Sequence, residues 1–377
     1  MPIKAPSDPD LRTAALRRLR QLVELESPSG DESRLRAIAA AMAAELEELG
    51  AAVQRVRVDG VGDHLIGRVP GREPDLDPVV VLGHLDTVHA VGTFDPVFRL
   101  EGERAYGPGA CDMKGGWACM LEALALLDAA GRRPHRPLVV LATCDEETGS
   151  DTSRALIEDT ARDARAVLVP EPPLPDGGVK TQRKGVAWYR LSVHGRAAHA
   201  GLAPEHGVNA ITELAHQVLA VTGLADPGAG TSVSVGEAGG GTASNVVPAT
   251  AWASIDVRFS DPVEGRRVDR ALRELRPAVQ GARLELEGGV NRWPMERTEG
   301  VVELYHRARR LARAMGWTLG EGMAGGASDG SLTAALGVPT LDGIGPAGGG
   351  AHAPDEHVRV ADLARRVRLY ARLLEEL

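Results

Sequence analysis

The residues able to do chemistry in this chain gather at the ends of apolar runs. VVVLGHLD carries His84 and Asp86, and GPGACDMKGG carries Asp112. LVVLATCDEETGS closes on Asp145, Glu146 and Glu147, AVLVPE ends on Glu171, and GGGAHAPDEH holds His352 in a glycine-rich loop. Three adjacent carboxylates repel one another, so the cluster requires a cation to offset it. Imidazole and carboxylate together suit zinc, and cobalt or manganese less exclusively. Five such positions, at His84, Asp112, the Glu146–Glu147 pair, Glu171 and His352, are too many for one tetrahedral ion with an open position. Two ions that share one carboxylate use them well. Such a pair, about 3.5–4 Å apart, can hold a hydroxide between them. Asp86, two residues past His84, is placed to accept the other imidazole N–H.

These side chains need strand ends to bring them together. Apolar runs at 64–69, 79–84, 137–143 and 166–171 read as strands. Amphipathic patterns at 9–26, 32–49 and about 115–130 read as helices, the second capped by Asp31 and closed at Gly50. Helices alternating with strands apolar on both faces predict a largely parallel α/β sheet. In such sheets ligands bind beyond the carboxyl ends of the strands, where these residues fall.

The pattern changes after Arg183. GVAWYRLSVHG (185–195) alternates, a helix covers about 207–222, and strands follow at 231–239 and 249–259. A helix over 261–280 and a strand at 282–289 complete a β-α-β-β-α-β order, the ferredoxin-like split unit. Helix 299–315, a short strand near 339–343 and helix 360–376 then resume the first character. The fold class is therefore α/β, a mostly parallel-sheet catalytic domain (1–183 and 293–377) with an inserted ferredoxin-like α+β domain (184–292).

The ordered set GHLDTV (83–88), GPGACDMKGG (107–116), TCDEETGS (143–150), PEPP (170–173) and GAHAPDEHV (350–358) resembles the M20 family of dinuclear zinc aminoacylases and carboxypeptidases. The likeness spans nearly the whole chain. It implies two zinc ions per subunit, with cobalt or manganese as substitutes, and Asp112 as the bridging ligand. Glu147 and His352 would hold one ion, and His84 and Glu171 the other. It also implies a cis peptide after Asp112 and Glu146 as the general base acting on a metal-bridging hydroxide; Asp86, by its own position beside His84, reads as a supporting catalytic residue. In the insert, GRAAHAG (195–201) carries His199, which the resemblance makes an oxyanion donor reaching a partner subunit's site. SNVVPATAWASIDVRF (244–259) carries Asn245 and Arg258, matched to residues that bind a substrate carboxylate. Arg258 also reads that way by its own chemistry, since a guanidinium fork pairs bidentately with a carboxylate.

The resemblance implies a homodimer, a substrate with a free carboxylate, and release of a C-terminal amino acid in the manner of a glutamate carboxypeptidase. The alternatives are N-acyl-amino-acid deacylation of the acetylornithine, succinyl-diaminopimelate or aminoacylase type, and dipeptide cleavage. Two rivals come from other classes. Gly326-Ala327-Ser328-Asp329-Gly330 satisfies G-x-S-x-G, with Asp342 and His352 following in serine-hydrolase order. The run before it, GWTLGEGMAG, holds four glycines in ten residues, a poor strand for a nucleophile elbow. A non-catalytic metal- or peptide-binding protein would need Glu147 but has no use for Glu146 beside it.

Bulk properties exclude other partners. A net charge of −9 gives nucleic acid no electrostatic hold. No run reaches the ~18 apolar residues of a membrane span. The opening MPIKAPSDPDLRTAALRRLRQLVELES lacks the apolar stretch of a signal peptide. Cys111, Cys119 and Cys144 cannot all pair, which points to a reducing cytoplasm.

Overall fold

The computed structural model describes residues 6–377; the first five residues of the N-terminal stretch read above lie outside the described residues. The chain divides into two compact units. One runs to Gln182 and resumes over Arg297–Ala324 and Ser328–Leu377, and the other comprises Arg183–Glu296 with Gly325–Ala327.

The first unit is built on an eight-stranded sheet. Its centre is parallel, in the order Leu138–Thr143, Val79–His84, Ala166–Val169, Thr340–Asp342. Strands paired antiparallel flank it, Gly62–Val69 and Ala52–Val58 on one side and Val179–Arg183 on the other, with Glu321–Ala324 at the edge beyond Val179–Arg183. The central strands are buried throughout, and the twofold strand period sorts their side chains between two cores. Val79, Val81, Leu138 and Val140 join a core with the helices Asp8–Glu24, Glu32–Glu48, Gly115–Ala129 and Val360–Glu376. Val80, Leu82, Val139 and Leu141 join another with Ile157 of Arg154–Ala161 and Leu332 of Gly330–Ala335. Continuous apolar runs are what a sheet covered on both faces requires. Ala52–Val58, at the edge of the sheet, is largely exposed.

The second unit has a wholly antiparallel sheet in the order Ser232–Gly240, Thr250–Phe259, Gly185–His194, Arg283–Arg292. Taken in chain order with the helices Ala210–Thr222 and Pro262–Arg273, this is the ferredoxin-like arrangement. Alternate residues Ala187, Tyr189, Leu191 and Val193 face a core shared with Leu214, Val268 and Leu272 of the helices. The helix expected over 261–280 stops at Arg273, since Pro277 disfavours helix at the residue before it and offers no N–H. The helix expected from 207 begins at Ala210, where the Asn209 side chain caps the N–H groups of Ile211 and Thr212.

A small sheet in the order Gly348–Gly349, His357–Arg359, Arg104–Tyr106, Arg99–Glu101 was not foreseen. Its strands are two or three residues long and carry no periodic signal. No helix among the described residues is long and apolar enough to cross a membrane.

Candidate metal centre

Three parallel strands deliver their last residues to one rim. Val79–His84 and Leu138–Thr143 end level, with His84 opposite Thr143, and Ala166–Val169 runs beside them. His84 therefore stands next to the turn that opens with Glu146 and Glu147, and Glu171 follows two residues past the third strand. Asp112 lies in the bent segment Ala110–Lys114, ahead of the helix Gly115–Ala129, and the Asp112–Met113 peptide is cis. Gly116 lets this helix meet the Glu171 loop. A Cβ there would sit 1.8 Å from the Pro170 carbonyl oxygen, closer than any side chain allows. His352 comes from the loop between Gly348–Gly349 and His357–Arg359, whose second strand pairs with Arg104–Tyr106 just upstream of Asp112. Its φ of +64° is left-handed, a conformation that costs a non-glycine residue roughly 1–3 kcal/mol and recurs at ligand clamps.

The side chains meet in two sets around one carboxylate. Asp112 Oδ1 lies 3.3 Å from His84 Nε2, and Glu171 Oε1 lies 3.5 Å from the same nitrogen. Asp112 Oδ2 lies 3.5 Å from His352 Nε2, which stands 3.3 Å from Glu147 Oε2. Ligand atoms of His84, Asp112 and Glu147 all fall within 4.8 Å of one another. His84 Nδ1 donates to the Asp86 carbonyl at 2.9 Å; that oxygen can only accept, so Nε2 is the ring atom left for a cation. The expected partner, the Asp86 carboxylate, is farther away at 3.5 Å. It accepts instead from Ser29 Oγ (2.8 Å) and from the N–H groups of Glu146 (3.3 Å) and Glu147 (3.2 Å). It thereby orients the turn that bears both glutamates.

The titration of these groups reflects crowding of opposite charge. Burial opposes the protonated form of His84, yet the neighbouring carboxylates of Asp112, Asp86 and Glu171 raise it well above the usual imidazole range. Hydrogen bonds to Asp112 and Glu147 push His352 up to about 10. Burial works against ionised Asp112, but His352 and His84 hold it well below the carboxylate range. Burial raises Glu147. Both imidazoles thus stand among carboxylates that favour positive charge between them. Two nitrogen donors and three carboxylates, one offering an oxygen to each set, fit a pair of divalent cations.

Asp145, unassigned by its position in the sequence, holds the next turn. Its Oδ2 accepts from Thr152 N (2.8 Å), Thr152 Oγ1 (2.6 Å) and Ser153 N (3.2 Å). Sequence reasoning missed Lys180, buried with its Nζ 3.7 Å from Glu171 Oε2, and the buried pair His89–Glu356. A lone charged residue ordinarily reads as solvated, so neither Lys180 in its strand nor Glu356 inside the GAHAPDEHV run stands out by residue type.

His199, Asn245 and Arg258 belong to the second unit. His199 is exposed, and its Nδ1 accepts from the N–H groups of Gly201 and Leu202, both at 3.1 Å. The ring proton therefore resides on Nε2, leaving a donor free to face outward. Asn245 is exposed on the adjoining loop, and its backbone carbonyl accepts the Ala200 N–H at 2.9 Å. Arg258 makes a side-on fork with Asp256, Nε to Oδ1 at 2.7 Å and Nη2 to Oδ2 at 2.8 Å, while Trp188 Nε1 holds Oδ2 at 3.0 Å.

The serine-hydrolase alternative is overturned. Ser328 is buried, and its hydroxyl donates directly to Asp342 Oδ2 at 2.6 Å with no histidine between them. His352 is engaged with Asp112 and Glu147. The strand before Ser328, Glu321–Ala324, is a half-exposed edge strand and lacks the buried support an elbow needs.

Comparison with known proteins agrees with this architecture. Residues 80–376 match the model of peptidase family M20/M25/M40. The chain is 34% identical to carboxypeptidase G2 of Pseudomonas sp. (strain RS-16), over 98% of this chain and 90% of that protein. It is 31% identical to a succinyl-diaminopimelate desuccinylase of Methylorubrum populi, over 89% of this chain and 91% of that one. Among solved structures, the M20 family metallo-carboxypeptidase Sso-CP2 of Sulfolobus solfataricus superposes with a TM-score of 0.76 at 18% identity, covering 96% of this chain and 98% of that one. At that identity the likeness speaks for the fold.

Proposed function

Since this chain belongs to peptidase family M20/M25/M40 and is a hydrolase of amide bonds, we propose that it is a two-zinc carboxypeptidase releasing a C-terminal amino acid, glutamate in the first instance. The observation that carries this reading is the division of Asp112, one oxygen beside His84 and Glu171, the other beside His352 and Glu147. These five residues would hold the two ions. When bound, the ions supply Lewis acidity and make water acidic enough to lose a proton near neutral pH. Glu146 takes the proton of the attacking water and returns it to the departing amine nitrogen. Asp86 keeps Glu146 and Glu147 in place through their backbone N–H groups. His199, contributed by a second copy of the chain, donates its Nε2–H to the oxygen that becomes negative in the transition state. Arg258 and Asn245 bind the free carboxylate of the substrate.

Glutamate is favoured by the extent of similarity to carboxypeptidase G2. The desuccinylase relative supports a second reading, deacylation of an N-acyl amino acid, which uses the same centre. The three cysteines are free and buried, which suits a reducing compartment. A panel of N-acyl glutamates, N-succinyl and N-acetyl amino acids and dipeptides, assayed with zinc or cobalt, separates the two. We expect N-acyl glutamates to be cleaved fastest and a chelator to abolish turnover. Faster cleavage of N-succinyl substrates would select the second reading, and turnover indifferent to chelation would overturn both.

A further inference from the structure

Glu356 is almost wholly buried, at 1% exposure, and both its oxygens are engaged. Oε1 accepts the N–H groups of Cys111 and Asp112, each at 2.8 Å. Oε2 accepts the Gly109 N–H at 3.0 Å and lies 2.6 Å from His89 Nε2. The Glu356 carbonyl also accepts the Gly107 N–H at 3.2 Å. Three backbone donors, two from the bent segment that carries Asp112 and one from Gly109 just before it, therefore converge on one carboxyl group located about 245 positions later in the chain. On its own side Glu356 is joined to His352 by two short turns, Ala353 N–H to the Gly350 carbonyl at 2.8 Å and Glu356 N–H to the Ala353 carbonyl at 3.1 Å.

We propose that Glu356, braced by His89, is a positioning residue of the metal centre, a clasp that fixes the Asp112 loop against the His352 loop. The inference rests on the metal-centre reading above. Asp86 offers the parallel case, because it too receives backbone N–H groups from a ligand-bearing turn. Asp86 holds Glu146 and Glu147; Glu356 holds Asp112 and, through its own loop, His352. Supporting groups of this kind typically govern metal affinity by about 10–100-fold.

A glutamine at 356 cannot replace the carboxylate. Either orientation of its amide turns an N–H₂ toward at least one backbone N–H, so one of the three donors loses its acceptor. The test is cobalt(II) binding to the full-length protein, followed by competition with a chromophoric chelator and by the visible d–d spectrum. Glu356→Gln, folded by far-ultraviolet circular dichroism, is expected to bind cobalt about 10–100-fold more weakly and with an altered spectrum. His89→Leu keeps all three N–H bonds and removes only the brace; a several-fold weakening is expected, and it carries the test if Glu356→Gln does not fold. Parent-like affinity and spectrum in the folded variants overturn the clasp. Failure of the parent protein itself to bind cobalt overturns instead the metal-centre reading on which the clasp depends.

Discussion

The N–H of Glu147 donates to Asp86 Oδ2 at 3.2 Å, and the N–H of its neighbour Glu146 to Oδ1 at 3.3 Å. One buried carboxylate thus sets two consecutive glutamates to which the proposed mechanism gives different work. Glu147 faces His352, while Glu146 opens the turn as the residue assigned to proton transfer.

Glu146→Gln keeps the size and the backbone N–H, so the turn on Asp86 should survive. We expect it to bind two metal equivalents per subunit, measured by elemental analysis, and to lose about 10²–10⁴-fold in kcat. Near-parent turnover would remove Glu146 as the base.

Metal uptake should release protons. In the metal-free protein His352 titrates near 10, because Asp112 and Glu147 accept from its ring, and His84 also lies well above the imidazole range. Both rings therefore carry protons at neutral pH that a cation must displace. Affinity for zinc should fall as pH falls, and calorimetry in buffers of different ionisation enthalpy should register the released protons. A linked effect acts on metal-free stability. A raised folded-state pKa means that the His352 contribution is fully present below the unfolded value of about 6.5 and fades as pH rises toward 10. His352 is half exposed, so this contribution is screened and small. Urea unfolding of the apoprotein across this window checks the sign.

Arg258 is held side-on by Asp256, and its Nη1 makes no hydrogen bond among the described residues. The end-on edge is thereby aimed for a second carboxylate. Arg258→Ala should raise KM for carboxylate substrates about 10–100-fold, the range of a lost charged hydrogen bond, with a smaller change in kcat. The matching carboxamides should be indifferent to the substitution. Equal losses on both substrate types would show that Arg258 does not read the carboxylate.

His199 presents Nε2–H outward because two backbone donors occupy Nδ1. His199→Ala should lower kcat by about 10²–10³-fold, the range for a lost oxyanion donor. If the donor acts in a partner's site, mixing His199→Ala with Glu146→Gln should restore activity through hybrid dimers that hold one intact site. A fully active monomer by light scattering would contradict action between copies.

Much of this was readable along the chain. The runs VVVLGH and PLVVLAT are apolar at every position, and only a strand covered on both faces tolerates that, so the central sheet followed from local sequence. The chemical types of His84, Asp112, Glu147, Glu171 and His352 pointed to a candidate metal centre, and the fold brings these five side chains together. Helix ends were legible where a cap marked them, as at Asp31, and fell elsewhere where Asn209 starts a helix later and Pro277 ends one sooner than periodicity alone suggests.

Tertiary structure alone decided which side chains share which oxygen. Asp112 divides between two histidines because its loop is fastened to one some 240 residues later, and no local signal encodes a hydrogen bond across that distance. The same holds for Glu356, which in sequence is an acidic loop residue and in the fold accepts three backbone donors. Ser328 shows the converse, a motif with the right letters whose hydroxyl is buried against Asp342. Residue type sets what a side chain can do. Burial and the partners brought by distant chain decide what it does, since removing water makes each unpaired polar group costly enough to select a single arrangement.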